Sequence, residues 1–268
     1  MHLGADTQKP VRHGRPRLGG RGKAVLLIAF ALATAGCGGD QGATDEPAAS
    51  TPAPAGTKTV AEAPGTTASA PLPRTAARVR DGLRGIPQQG LVLGSRSAPV
   101  AIIEYGNFEC PTCAAVHGTV LPQVIERYVR TGKASLEFRG LAGDSASPSR
   151  DLALGAHAAA AQRRGWDFVQ LAYLRSLERG GALPEPSARL AAALGLDVRG
   201  WNGELEEPAR SAQVRAAASV AAVARFSTYP VFLVRARDNP GHPFIVLTDP
   251  SSVRAFAGAI EKARKPGV

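Results

Sequence analysis

The sequence predicts an α/β fold with an inserted helical block, carried by residues 81–268 of a 268-residue chain. Three observations predict it. A near-continuous apolar run, Pro99–Tyr105, is followed by a helical pattern and a second strand-like run, Ser135–Arg139, which together make a β–α–β unit. Residues 148–224 are Ala-rich and helical in pattern almost throughout. Two short runs, Val231–Val234 and Phe244–Leu247, flank turn residues and precede a closing helical segment.

The chain begins with a segment that this fold does not need. Residues 1–36 read as a secretory signal. Lys9, Arg12, Arg15, Arg17, Arg21 and Lys23 stand against Asp6 alone, so this short leader holds half of the formal net charge of +10. The apolar run Ala24–Ala35 follows, too short to span a bilayer comfortably. Ala35-Gly36-Cys37 resembles the lipobox of bacterial lipoproteins, which makes Cys37 the candidate lipid-attachment residue. Thr34 stands where that pattern usually has Leu, so an ordinary signal peptide or an uncleaved anchor stays open. Each version places the domain outside the cytoplasm, where disulfides persist. Residues 37–80 are rich in Ala, Pro, Thr, Gly and Ser, and predict a disordered tether between membrane and domain.

Leu91-Val92-Leu93 predicts a short strand, and Pro99–Tyr105 a stronger one buried on both faces. A helix starts directly after Cys110, with apolar positions Cys113, Val116, Val120, Val124 and Tyr128 recurring at helical spacing. Pro122 should kink it, and Thr131-Gly132 should end it. Ser135–Arg139 then returns parallel to the first strand, as a β–α–β connection requires. The helical insertion spans about 145–225, with breaks expected at Gly165, Gly180-Gly181, Pro184, Gly195 and Gly200. Trp166, Phe168 and Trp201 are expected to pack it. Asp238-Asn239-Pro240-Gly241 is turn chemistry between two hairpin strands. A last helix runs from Pro250 to about Lys265, with Asp249 as the expected N-cap.

The cysteines carry the chemistry. Cys110 and Cys113, at i and i+3, meet on one helical turn, close enough for a reducible disulfide. Pro111 suits the first helical position, which puts Cys110 at the N-cap, facing unpaired N–H groups and the positive end of the helix. Thiols so placed have pKa values of roughly 3.5–7.5 rather than about 8.5. Cys113, one turn deeper, is the expected resolving thiol. A merely structural buried pair is the alternative. Zinc would need four ligands, and Cys110, Cys113 and His117 supply three, so no metal site and no cofactor are expected. His117 reads as a helix-surface residue. The basic residues outside the leader are scattered along the chain, which predicts a solvated surface and no nucleic-acid partner.

A longer set of residues sharpens this. Gly85-Ile86-Pro87 leads to Gly90-Leu91-Val92-Leu93-Gly94 and Ser97-Ala98-Pro99-Val100. Glu104-Tyr105-Gly106-Asn107-Phe108-Glu109-Cys110-Pro111-Thr112-Cys113 then runs into Leu121-Pro122 and Tyr128–Lys133, and Ser227-Thr228-Tyr229-Pro230-Val231-Phe232-Leu233 follows near the end. From about Gly85 to Lys265 the chain resembles the DsbA-like thioredoxin family of secreted bacterial oxidoreductases. The resemblance implies a thioredoxin-like fold with an inserted helical subdomain. It implies that Cys110 attacks, that Cys113 resolves, and that Pro230 is a cis-proline facing the disulfide, with Tyr229 beside it at the substrate site. It also implies that Glu104 is a buried acid beneath the pair. A carboxyl in an apolar strand should hold or relay a proton, unless it reaches solvent or an Arg. Two residues depart from the family: Thr112 stands where the best-known oxidants have His, and Asn107 where Asp is common.

The expected function is thiol–disulfide exchange with protein thiols of secreted or envelope proteins, assisted by a membrane redox partner. Membrane contact is expected only through the lipid or signal anchor. A reductase or isomerase on the same fold is one alternative. A non-catalytic, lipid-anchored binding or chaperone module is the other.

Overall fold

A computed structural model describes residues 72–142, 147–181, 185–238 and 243–265. The leader, Cys37 and most of the expected tether lie outside the described residues. The last part of the tether, however, is helix. Leu72–Leu83 form α1, whose buried Thr75, Ala76, Val79 and Leu83 lie on one side at helical spacing. The composition concealed it because that face is built mainly from small and β-branched side chains. Burial against α5, Gly165–Glu178, stabilises it, and Thr75 Oγ1 donates to Glu178 at 2.9 Å.

The centre is a six-stranded sheet in the order β1-β2-β4-β3-β5-β6. Its strands are β1 Gln88–Gln89, β2 Val92–Leu93, β3 Val100–Gly106, β4 Ala134–Gly140, β5 Val231–Ala236 and β6 Ile245–Leu247. β3 and β4 run parallel, and every other neighbouring pair is antiparallel. β1 was not foreseen, because two glutamines carry no apolar alternation.

β3 is buried along its whole length, and its side chains alternate between two cores. Val100 and Ile102 join the main core, with α2, Pro111–Thr119, with α5 and with the closing helix α9, Val253–Arg264. Ile103 and Tyr105 face a smaller cluster containing Ala217 and Ala221 of α8, Pro208–Val223. By the same alternation Glu104 points into the main core.

The helix after Cys110 divides as α2 Pro111–Thr119 and α3 Leu121–Val124, followed by a π-helical turn Ile125–Val129. Pro122 has no N–H to offer the preceding turn, so the break falls at Val120. The inserted block is α4 Pro148–Ala161, α5 Gly165–Glu178, α6 Ser187–Leu194, α7 Val198–Glu206 and α8. Gly195 ends α6 at φ +74°. Gly200, expected to break a helix, lies inside α7. Trp166 and Trp201 are buried, their indole N–H groups donating to the carbonyls of Leu91 (2.8 Å) and Gly155 (3.0 Å).

α9 starts later than Asp249 and Pro250 suggested. Ser252 is the N-cap, its Oγ accepting from Ala255 N–H. Asp249 instead accepts from Ser251 N–H at 3.3 Å, holding the turn before the helix. Among the described residues no helix is long and apolar enough to cross a membrane.

Candidate active site

The site stands where β3 ends and α2 begins. Asn107–Cys110 make the connection: Asn107 Oδ1 accepts from Glu109 N–H at 2.7 Å, and the Asn107 carbonyl accepts from Cys110 N–H at 3.0 Å. Three bonds tie this turn to the start of α4. Phe108 N–H donates to Ser149 Oγ at 3.1 Å, and the Glu109 carboxylate accepts from Ser147 Oγ at 2.8 Å and from Ser149 N–H at 3.3 Å. The turn is therefore held by the start of the inserted block.

Cys110 is the N-cap of α2 in extended conformation, with Pro111 in the first turn. Its Sγ accepts the backbone N–H of Cys113 at 3.0 Å, one of the donors that a helix start leaves without a partner. Cys110 and Cys113 are joined by a disulfide with Cα atoms 5.3 Å apart. The two sulfurs differ in access. Cys113 is fully buried, whereas Cys110 is half-buried between exposed Glu109 and Pro111.

β5 pairs antiparallel with β3, Val231 lying opposite Tyr105, and so brings residues from the far end of the chain to this spot. The Tyr229–Pro230 peptide bond is cis. The carbonyl oxygen of Tyr229 is 3.6 Å from Cys110 Sγ. A cleft of about 310 Å³ adjoins the pair, lined by Thr112, Val116, Val120, Tyr229, Pro230 and Pro250 among others.

Glu104, near the end of β3, has no exposure to solvent. Its partner is neither solvent nor an arginine but His117. The Nε2 of His117 lies 3.0 and 3.1 Å from the two carboxylate oxygens, and Nδ1 lies 2.9 Å from Gln170 Oε1. The ring stacks on Tyr173 with centroids 4.0 Å apart. The Tyr173 hydroxyl is buried and has no hydrogen-bond partner among the described residues. Burial, and then the negative charge of Glu104, push that phenol well above its ordinary pKa. Gly106 admits this arrangement: a Cβ there would stand 2.7 Å from Tyr173 Oη and 2.9 Å from Glu104 Oε1.

The surface position expected for His117 is thus wrong. It follows Cys113 by four residues, so it shares the inward face of α2, and that spacing could have found it. Gln170 and Tyr173 gave no such signal, since they arrive from α5.

This geometry carries a family assignment. The profile of a family described as thioredoxin matches residues 87–258. The chain belongs to the thioredoxin family. Its version of the thioredoxin fold is that of DsbA structures, with the helical block inserted after the β–α–β unit. The crystal structure of Wolbachia pipientis alpha-DsbA1 superposes with a TM-score of 0.55 at 22% identity, covering 65% of this chain and 89% of that one. A stretch of 46 residues is 46% identical to the probable disulfide bond formation protein D of Bacillus cereus, covering 17% of this chain and 21% of that protein. A longer stretch, 174 residues, is 29% identical to the Na(+)/H(+) antiporter NhaA 3 of Salinispora tropica, covering 65% of this chain and 26% of the antiporter. The matched segments thus span only about a fifth to a quarter of these curated relatives.

Proposed function

We propose that this thioredoxin-family protein is a thiol–disulfide oxidoreductase acting on cysteines of secreted or envelope proteins through Cys110 and Cys113. The observation that carries the proposal is the disulfide at the N-terminus of α2, with one sulfur accessible and the other buried. The name of the Bacillus cereus relative agrees with it.

In the oxidising direction a substrate thiolate attacks Cys110 Sγ. The Cys110–Cys113 bond breaks, its electron pair goes to Cys113 Sγ, and a mixed disulfide forms. A second substrate thiolate then attacks the substrate sulfur of that mixed disulfide. Cys110 leaves as a thiolate, stabilised by the Cys113 N–H and the helix start. The substrate loses two electrons and the protein gains two, which a membrane redox partner removes. Glu104 assists proton transfer at Cys113. The cleft beside Tyr229 and Pro230 receives the substrate as an extended segment that pairs with the backbone of Tyr229.

Thr112 supports a second reading, a reductase or isomerase on the same fold. A threonine hydroxyl stabilises a neighbouring thiolate less than a cationic imidazole does, which makes the disulfide less oxidising. The reduction potential separates the two directions. Refolding of a reduced, disulfide-containing protein tests exchange itself: the wild type should restore its disulfides and Cys110→Ser should not. Equal refolding by both would leave a binding or chaperone module. The leader places this chemistry outside the cytoplasm, with Cys37 as the lipid anchor.

A further inference from the structure

Between Glu104 and His117 the proton positions follow from hydrogen-bond directions. Gln170 Nε2 donates to the backbone carbonyl of His117 at 2.8 Å, which orients the amide. The atom 2.9 Å from His117 Nδ1 is therefore Oε1, an acceptor, so Nδ1 carries a hydrogen. The other ring nitrogen, Nε2, then faces two carboxylate oxygens at 3.0 and 3.1 Å. One proton must lie between them, on Nε2 or on Glu104.

Both placements are electrically neutral: imidazolium with carboxylate, or imidazole with carboxylic acid. Adding or removing a proton would leave a net charge where Glu104 and His117 each have no solvent exposure, which is costly. The other groups that face the pair are the Tyr173 hydroxyl and the Gln170 amide from α5, and Cys113 lies one turn before His117 on the buried side of α2. Trp166 closes the stack at 6.2 Å between ring centroids.

We propose that His117 is a positioning residue for thiol exchange: it locks the Glu104 carboxyl and shares one proton with it, so that the redox pair rests on a neutral couple. This deepens the oxidoreductase reading and rests on it. A lone carboxylate near the start of α2 would repel a thiolate there. The couple presents no net charge and can shift its proton toward Glu104 or His117 as a thiolate forms on α2.

The test compares alkylation of Cys110 by iodoacetamide in three reduced proteins from about pH 5 to pH 9, the range in which thiols and imidazoles titrate. They are the wild type, His117→Phe and the double variant Glu104→Gln/His117→Phe, in which both positions are uncharged at every pH. The ratio of wild type to double variant should stay flat across the range. Where the Cys110 thiol is only partly ionised, the ratio of His117→Phe to double variant should drop by up to about tenfold, because an unshared carboxylate near the thiol lowers its thiolate fraction, and should recover once the thiol is fully ionised. A pH-dependent change in the first ratio, or no drop in the second, overturns the proposal. If His117→Phe shows no cooperative thermal unfolding, His117→Gln against Glu104→Gln/His117→Gln replaces it. That amide keeps a hydrogen bond to Glu104 but cannot hold the shared proton. Alkylation needs no protein substrate. Failure of the refolding assay would therefore sink the oxidoreductase reading while leaving these ratios intact.

Discussion

The backbone N–H of Cys113 points at the sulfur of Cys110, 3.0 Å away, while Cys113's own sulfur is sealed from solvent. One helical turn therefore makes two chemically different thiols from a single residue type. In the reduced protein, Cys110 should be alkylated first, and well below about pH 8. Peptide mapping after brief labelling reads this directly. Labelling of Cys113 ahead of Cys110 would reverse the assigned roles.

Glu104→Gln keeps the shape of the carboxyl and an acceptor for His117, but removes the acid. Turnover in the refolding assay should slow by on the order of 10², the usual worth of a positioned acid or base. Far-UV circular dichroism should not change. Kinetics equal to wild type at every pH would take Glu104 out of the proton path.

Two glycines make opposite predictions. Gly106→Ala would set a Cβ against Tyr173 Oη, Glu104 Oε1 and the Phe138 ring (3.1 Å), and should destabilise the fold by about 1–3 kcal/mol. Gly258, inside α9, has nothing within 4 Å of its added Cβ, so Gly258→Ala should stabilise by about 0.5–1 kcal/mol. Thermal melts of the two variants beside wild type check both signs.

His157 supplies a pH dependence of stability. Burial, and then the nearby Arg210 charge, lower its pKa from 6.5 to about 4. The folded state therefore keeps the ring neutral in a range where the unfolded chain protonates it. Its contribution is fully present above pH 6.5 and is lost as pH falls toward 4, approaching about 3 kcal/mol there. Urea titrations at a series of pH values should show this loss in wild type. The slope between those limits should be shallower in His157→Gln, and an unchanged slope would assign the loss to other groups.

The lipoprotein reading of the leader predicts that labelled fatty acid enters the wild type and not Cys37→Ser. Equal incorporation, or none in either, would leave an ordinary secreted or signal-anchored protein.

The amino-acid sequence alone determined the order of the elements and the place of the redox pair. The apolar run of β3 and the Cys-Pro-Thr-Cys start of α2 are patterns within a few residues, governed by local sterics and periodicity, whereas most of the turn expected at Asp238–Gly241 lies outside the described residues. The helical character of the inserted block was legible for the same reason. Only the tertiary structure decided what surrounds Glu104. His117 lies 13 residues from it in sequence, and Gln170 lies 53 from His117, so their meeting depends on how β3, α2 and α5 pack. Ser252 displaced Asp249 as the cap of α9 by three residues, a choice between two competent capping side chains that the position of the helix settles. α1 and β1 were missed because each is stabilised by what it packs against. A partner distant in sequence leaves no periodic trace in the residues it covers.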